Sequence, residues 1–315
     1  MHQKPDGDAM GAALGLYHFL VSLGHDVYVI SPTNWAKFLD WMPGCDAVLD
    51  FETGIEKHTL LLKSTDIVFC LDYNALHRTK RMEKPLAEFT GSRVLIDHHQ
   101  QPEAAKFAYG VSNVLKSSTC EMVYDFIMQS PWADKMNLDM ATCLYTGIMT
   151  DTGSFRFSIT SAQVHRIIAH FKDMGLQHSV IHDNIYDDFS ESRLRFIGNA
   201  LLNRLEVLYE YNTALMAISK KDISKYDIQT GDTEGLVNYL LTIEGMKLGA
   251  LIIDRIEERK WSFRSKGNFD VNEFARKHFE GGGHKNAAGG RSSETVESNV
   301  QKFKEILKQY ENQLN

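Results

Sequence analysis

The sequence predicts an α/β protein, with a mostly parallel, doubly wound sheet in residues 1–190 and a smaller α/β unit over residues 191–315. Three observations carry that reading. Short apolar, β-branched runs alternate with longer segments of helical period, the pattern of strands buried on both faces and covered by helices. Polar motifs rich in Asp and His follow directly on those runs, where an open parallel sheet binds its ligands. The charge balance also changes near residue 190, with 15 basic and 23 acidic side chains before it and 19 and 18 after it.

Taken in order, Ala9–Leu23 is rich in Ala, Leu and Gly and is predicted to be a helix that stops before Gly24. Asp26–Ile30 (DVYVI), Asp66–Leu71 (DIVFCL) and Arg93–Ile96 (RVLI) are predicted strands. Ser118–Gln129 begins with Ser/Thr cap candidates, and Asp139–Met149 is a further helix. Asp187–Leu208 is polar and helical in period, and leads into the second unit. There, Ala214–Ser219, Leu248–Arg255 and Lys260–Ser265 are predicted strands. Gly281–His284 (GGGH) reads as a glycine turn, and Ser293–Tyr310 as a closing amphipathic helix.

Composition bounds the function. Of 315 residues 43% are apolar and 24% charged, which excludes a wholly disordered chain. No run approaches the ~20 apolar residues of a membrane helix, and no secretory signal precedes the first motif. The four cysteines (Cys45, Cys70, Cys120, Cys143) are widely spaced, without a CxxC pair. A disulfide framework or zinc ribbon is not expected, and a reducing, cytoplasmic setting is. The net charge is −7, whereas residues 255–291 hold nine basic and five acidic side chains, so the tail is locally basic.

Four clusters carry candidate chemistry: His2 with Asp6 and Asp8 ahead of the first helix, Asp72 after Ile67–Leu71, Asp97-His98-His99 after Val94–Ile96, and Asp151 in the segment Thr150–Gly153. A single Asp after a strand is ordinarily a turn or cap residue. Several carboxylates and imidazoles at one sheet edge are a metal-ligand set, and the mixed Asp/His chemistry suits a borderline divalent ion such as Mn²⁺. With so many ligands two ions are expected. Two ions about 4 Å apart can deprotonate a bridging water and clamp a phosphoryl oxygen. In the tail, Arg264-Ser265 and the glycines before His284 read as an anion site, because successive amides form a nest and arginine binds phosphate bidentately. Ser117, Ser118 and Thr119 read as cap residues, Trp35, Phe38, Trp41 and Met42 as packing, and His165, His170, His178 and His182 as surface or capping residues.

His2-x-x-x-Asp6-x-Asp8, Asp72, Asp97-His98-His99 and Asp151 resemble the four motifs of the DHH phosphoesterase superfamily, and GGGHKNAAGG (Gly281–Gly290) resembles its DHH-associated C-terminal domain. The resemblance spans nearly the whole chain and is nearest to the compact nano-RNase and pAp-phosphatase type. It implies a first Mn²⁺ on His2, Asp6 and Asp72, and a second on Asp8, Asp72, His98 and Asp151, with Mg²⁺ as an alternative metal. Asp97 would orient His98, and His99 would stabilise the phosphate or protonate the leaving oxygen. Arg264, Ser265, Gly282, Gly283 and His284 would hold the phosphate or nucleotide end, and the cleft between domains would limit substrate length. One departure is that the family places a strand before the first motif, whereas His2 here follows only Met1. A second is Ala12, where many relatives have Ser.

The function implied is hydrolysis of short oligoribonucleotides, linear dinucleotides such as pApA, or pAp, through two metal ions and a bridging hydroxide. The partner is thus a short RNA or nucleotide phosphate, with no membrane, and homodimer formation is left open. Competing readings are a RecJ-like single-strand exonuclease, a manganese pyrophosphatase, and a nucleotide-binding sensor with an impaired metal site. The −7 charge opposes a long phosphate track, although two divalent ions would take the front half from −8 to −4.

Overall fold

The structure, a computed structural model, describes residues 1–255 and 258–315, so Ile256 and Glu257 of the basic stretch lie outside the described residues. It divides into two units, Met1–Asp188 and Phe189–Asn315. The first contains α1 (Gly7–Ser22), β1 (Val29–Ser31), β2 (Val48–Asp50), α2 (Ile55–Lys63), β3 (Ile67–Leu71), α3 (Glu83–Glu88), β4 (Ser92–Asp97), β5 (Tyr109–Ser112), α4 (Thr119–Met128), α5 (Leu138–Asp151), α6 (Ala162–Asp173) and α7 (His178–His182). All its strand pairs are parallel, but where the sequence predicts one sheet there are two, β3-β4-β5 and β1-β2. The first strand starts at Val29, three residues later than predicted. Neither β2 nor β5 is legible in the pattern, since β2 is three residues long and β5 is exposed along its whole length.

Side-chain alternation in β3 and β4 shows that both faces of this sheet are covered. Leu71 and Ile96 enter a core shared with Met10 and Leu14 of α1, Ile127 of α4 and Leu144 of α5. Cys70 and Leu95, one residue earlier in each strand, enter a second core with Leu62 of α2 and Leu86 of α3. Trp35, Phe38, Trp41 and Met42 pack against the first core, as predicted.

The contact between α1 and α5 depends on small residues. Gly7, Gly11 and Gly15 recur every four residues and form one ridge of α1. A Cβ on Gly11 would sit 2.4 Å from the backbone oxygen of Cys143, and one on Gly15 would sit 2.7 Å from the Leu144 side chain. Across the contact, a Cβ on Gly147 would fall 2.2 Å from Cys120 Sγ and 2.8 Å from Asp8 Oδ1. The two helices, which carry Asp8 and Asp151, therefore approach more closely than any side chain at these positions would allow.

The second unit contains α8 (Glu191–Asn203), β6 (Leu205–Leu208), β7 (Thr213–Ile218), α9 (Lys220–Lys225), β8 (Leu248–Asp254), β9 (Arg259–Ser265), α10 (Val271–His278), β10 (Gly282–His284), β11 (Ala287–Ser292), α11 (Val296–Leu307) and α12 (Glu311–Leu314). Its strands form one mixed sheet in the order β10-β11-β9-β8-β7-β6, in which, among the described residues, only β7 and β8 pair in parallel. Ala250 and Ile252 face a core with Trp261, Phe263, Phe274 and Phe303, while Leu251 and Ile253 face a second core with Phe196 of α8. The helix predicted over Asp187–Leu208 ends at Asn203, and its last residues are strand β6, paired to β7. The GGGH segment is likewise not a turn. Gly282–His284 is a strand, and Lys285 and Asn286 make the connection to β11. Its glycines meet the opposing backbone closely: a Cβ on Gly281 would lie 1.9 Å from the Gly289 oxygen, and one on Gly283 2.5 Å from that of Ala287.

Among the described residues no helix is long and apolar enough to cross a membrane. Overpacking a helix contact of this kind costs about 1–3 kcal/mol. Gly11→Ala is therefore expected to lower unfolding stability by about that amount, measured by urea denaturation, whereas Gly198→Ala, beside which nothing lies within 4 Å, should not lower it.

Candidate active site

The carboxyl ends of β3 and β4 lie side by side, so the residues that follow them converge. Asp72 leaves β3 in the left-handed backbone region, with φ of 62°, and its amide donates to the Ile96 carbonyl of β4 at 3.2 Å. Few side chains other than Asp and Asn occupy that region at modest cost, and such strain concentrates at functional sites. Asp97 is the last residue of β4, and His98 and His99 follow it. Asp6 caps α1, its Oδ1 accepting the amides of Asp8 at 3.1 Å and Ala9 at 3.0 Å. Asp151 is the final residue of α5, held by a terminus that turns left-handed through Gly153, Ser154 and Phe155.

Among the described residues three donor groups share Asp72. His2, Asp6 and Asp72 form one, Asp8, Asp72 and His98 a second, and Asp72, Asp97 and His99 a third, with potential ligand atoms in each within 4.8 Å of one another. His2 Nε2 lies 3.3 Å from Asp72 Oδ2 and 3.8 Å from Asp6 Oδ1. His98 Nε2 faces Asp151 Oδ2 at 3.2 Å, Asp72 Oδ1 at 3.5 Å and Asp8 Oδ2 at 3.6 Å. The two oxygens of Asp72 thus face different groups. His2 is buried and directed at Asp72.

The supports of this set were only partly visible in the sequence. Asp8 lies at the start of α4, where its Oδ2 accepts the Thr119 amide at 2.7 Å and its Oδ1 the Cys120 amide at 2.8 Å. A carboxylate at a helix N-terminus is favoured by both the unpaired amides and the helix dipole. Thr119 also donates its hydroxyl to Asp72 Oδ1 at 2.9 Å. Sequence reasoning gives Thr119 a capping role only; Ser118 is the cap, accepting the Glu121 amide. Asp97 was expected to orient His98, but it binds His99. Its Oδ1 is 2.8 Å from His99 Nδ1 and its Oδ2 accepts the His99 amide at 3.1 Å. His98 Nδ1 instead meets the Lys116 carbonyl at 3.3 Å. Lys116 is fixed in turn by Glu121 at 2.9 Å and Asp125 at 2.6 Å. No spacing rule flags these residues, because their roles run through a backbone carbonyl and a tertiary contact.

The electrostatics are those of a site built for cations. Burial, then the charges of Asp72 and Asp151, push Asp8 well above the usual carboxylate range. Burial chiefly raises Asp97 to about 6 and Asp151 to about 6. Burial alone would raise Asp72, but the bonds from His2 and His98 outweigh it and hold it well below its ordinary value. Burial opposes charge on His98 too, yet Asp151 and Asp72 lift it well above an ordinary histidine. His99 is pushed well down, by burial and then by the charge of Arg78, another residue that sequence reasoning did not single out. Protonated groups here balance a carboxylate cluster that divalent cations would balance in their stead, and the N/O donor set fits such ions.

In the second unit Arg264 and Ser265 end β9, and Gly282, Gly283 and His284 form β10. The Ser265 hydroxyl donates to the Phe269 carbonyl at 2.7 Å and accepts from Asn286 at 2.9 Å, so it also secures the fold. The Gly283 amide is held by Asn272 Oδ1 at 2.9 Å.

The chain is similar to known proteins along most of its length. Residues 1–148 match the N-terminal domain of the DHH family and residues 209–313 match the DHHA1 domain. The chain is 29% identical over 293 residues to the bifunctional oligoribonuclease and PAP phosphatase NrnA of Thermus thermophilus, covering 91% of this chain and 81% of that protein. It is 25% identical to the Bacillus subtilis protein of the same name, covering 91% and 86%. A crystal structure of an exopolyphosphatase-related protein from Bacteroides fragilis superposes with a TM-score of 0.93 at 38% identity, over 99% of this chain and 92% of that one.

The raised groups, with His2 and His98 among them, set a pH dependence in the metal-free protein that the lowered His99 opposes. Asp8, Asp97 and Asp151 take up protons more readily folded than unfolded, where a carboxylate titrates near ~3.9. The stabilisation from Asp97 and Asp151 is complete below that value and is lost as pH rises through about 6, and that from Asp8 is lost in the same direction. Chelator-treated protein is expected to have a lower Tm at pH 8 than at pH 5.5, and Mn²⁺ to raise Tm more at pH 8. Thermal melts at the two pH values check this; a Tm rising with pH without metal would contradict it.

Proposed function

The chain belongs to the DHH family, and we propose that it is a Mn²⁺-dependent phosphoesterase acting on short oligoribonucleotides, linear dinucleotides such as pApA, or pAp. The observation that carries this is a pair of the donor groups sharing Asp72, which supports two divalent ions, on His2, Asp6 and Asp72 and on Asp8, Asp72, His98 and Asp151. When bound, such ions supply Lewis acidity to a phosphoryl oxygen and acidify a water.

The chain supplies position and proton control. Asp72 fixes the separation of the two groups, and Asp8 is clamped by the α4 amides, so little reorganisation accompanies the reaction. Asp97 holds the His99 ring through Nδ1, which presents His99 to the phosphate or the leaving oxygen. Arg264, Ser265, Gly282, Gly283 and His284 hold the terminal phosphate or nucleotide. A short substrate agrees with the net charge of −7, which offers no long track for a polyanion. The names of the relatives, which describe oligoribonucleotides and PAP, support the same class.

Purified protein with Mn²⁺ is expected to hydrolyse pAp, pApA or a five-nucleotide RNA in preference to pyrophosphate; turnover confined to pyrophosphate would overturn the proposal. Asp97→Ala and His98→Ala are each expected to lower kcat at least about 100-fold while the fold, read by circular dichroism, is retained. Unchanged turnover at saturating Mn²⁺ would contradict the assignment.

Gly282 offers a test of the capture site that spares the fold. Unlike Gly281 and Gly283 it has room for a Cβ, whose nearest neighbours would lie 3.5 Å away. Gly282→Ala, Arg264→Ala and His284→Ala are expected to raise KM for short nucleotides several-fold more than for a generic phosphodiester. Equal effects on both substrates would remove the capture role.

A further inference from the structure

We propose that Thr119 is a positioning residue that locks the shared carboxylate of Asp72 in the orientation needed to serve two cations at once. This rests on the two-ion reading of the site. An aspartate carboxylate turns readily about its last side-chain bond, because that torsion is broad. To bridge, it must present one oxygen to each neighbouring group and keep them there. Asp72 does so: Oδ2 faces His2 at 3.3 Å, and Oδ1 faces His98 at 3.5 Å. Thr119 donates its hydroxyl to Oδ1 at 2.9 Å, which distinguishes the two oxygens.

Thr119 is suited to this role because it is itself immobilised. It is fully buried at the start of α4, and its amide donates to Asp8 Oδ2 at 2.7 Å. One residue thus touches two carboxylates of the same donor group, Asp8 through its backbone and Asp72 through its side chain. The branched side chain has few rotamers, which keeps the hydroxyl aimed. Substitution by valine leaves the amide bond to Asp8 and the shape of the side chain, and removes only the bond to Asp72. Serine restores the hydroxyl without the methyl group.

The test compares wild type, Thr119→Val and Thr119→Ser by isothermal titration with Mn²⁺ and by electron paramagnetic resonance of the loaded protein, where ions sharing a carboxylate give a spin-coupled signal. Loss of a group supporting a metal ligand typically weakens binding by about 10–100-fold. Wild type is expected to bind two ions with a coupled signal. Thr119→Val should bind the second ion about 10–100-fold more weakly, with the coupled signal reduced, while Thr119→Ser recovers most of both. If Thr119→Val does not fold, Thr119→Ala is read in its place against Thr119→Ser. Wild-type affinity and coupling in the folded variant lacking the hydroxyl, or a serine variant as impaired as that one, would overturn the role of Thr119. A wild type that binds one ion only would overturn the two-ion reading itself.

Discussion

The placement of Asp72 is the constraint from which the rest of the site follows. It is a buried carboxylate in a left-handed backbone conformation, and its two oxygens are directed at His2 on one side and His98 on the other. The bonds from those histidines hold its pKa down against burial, and its charge helps to raise that of Asp8. Without a carboxylate there, the remaining donors would lose the member they have in common. The parallel pairing of β3 and β4 brings this about, because it sets Asp72 beside the segment Asp97–His99 at the same sheet edge.

The helices complete the set by approaching unusually closely. The glycine ridge of α1, with Gly147 of α5, brings the carboxylate of Asp8 up to α5, whose last residue is Asp151. The amides of Thr119 and Cys120 then restrain both oxygens of Asp8. The restraint matters energetically, since a buried carboxylate cluster is costly without such bonds or bound cations. Packing and chemistry are thus one design here: residues with no polar group decide where the carboxylates stand.

The fold class and family were legible in the sequence for a physical reason. Strands covered on both faces are apolar, as is Ile67–Leu71, which is buried at Cys70 and Leu71, and ligand residues at strand ends must follow at once, as Asp72 and Asp97 do. The strand β5 escaped because it is an exposed edge without that pattern, and Leu205–Leu208 because a polar helix runs directly into it. The GGGH segment reads as a turn from sequence because glycine carries no signal to separate a turn from a strand pressed against another backbone. Within the site, side chains that bear the chemistry were identifiable by type and place, but their supports were not. Asp97 serves His99 and not His98, and the Thr119 hydroxyl and Lys116 carbonyl act through tertiary contacts that no local spacing encodes.

The central claim is that Asp72 is shared by two cations. Diffraction from crystals soaked in Mn²⁺, recorded at the manganese absorption edge, tests it most directly. Two anomalous peaks about 4 Å apart are expected, one on each side of the Asp72 carboxylate, the first beside His2 and Asp6 and the second beside Asp8, His98 and Asp151. A single peak at full occupancy in excess Mn²⁺, or two peaks that do not share Asp72, would contradict it.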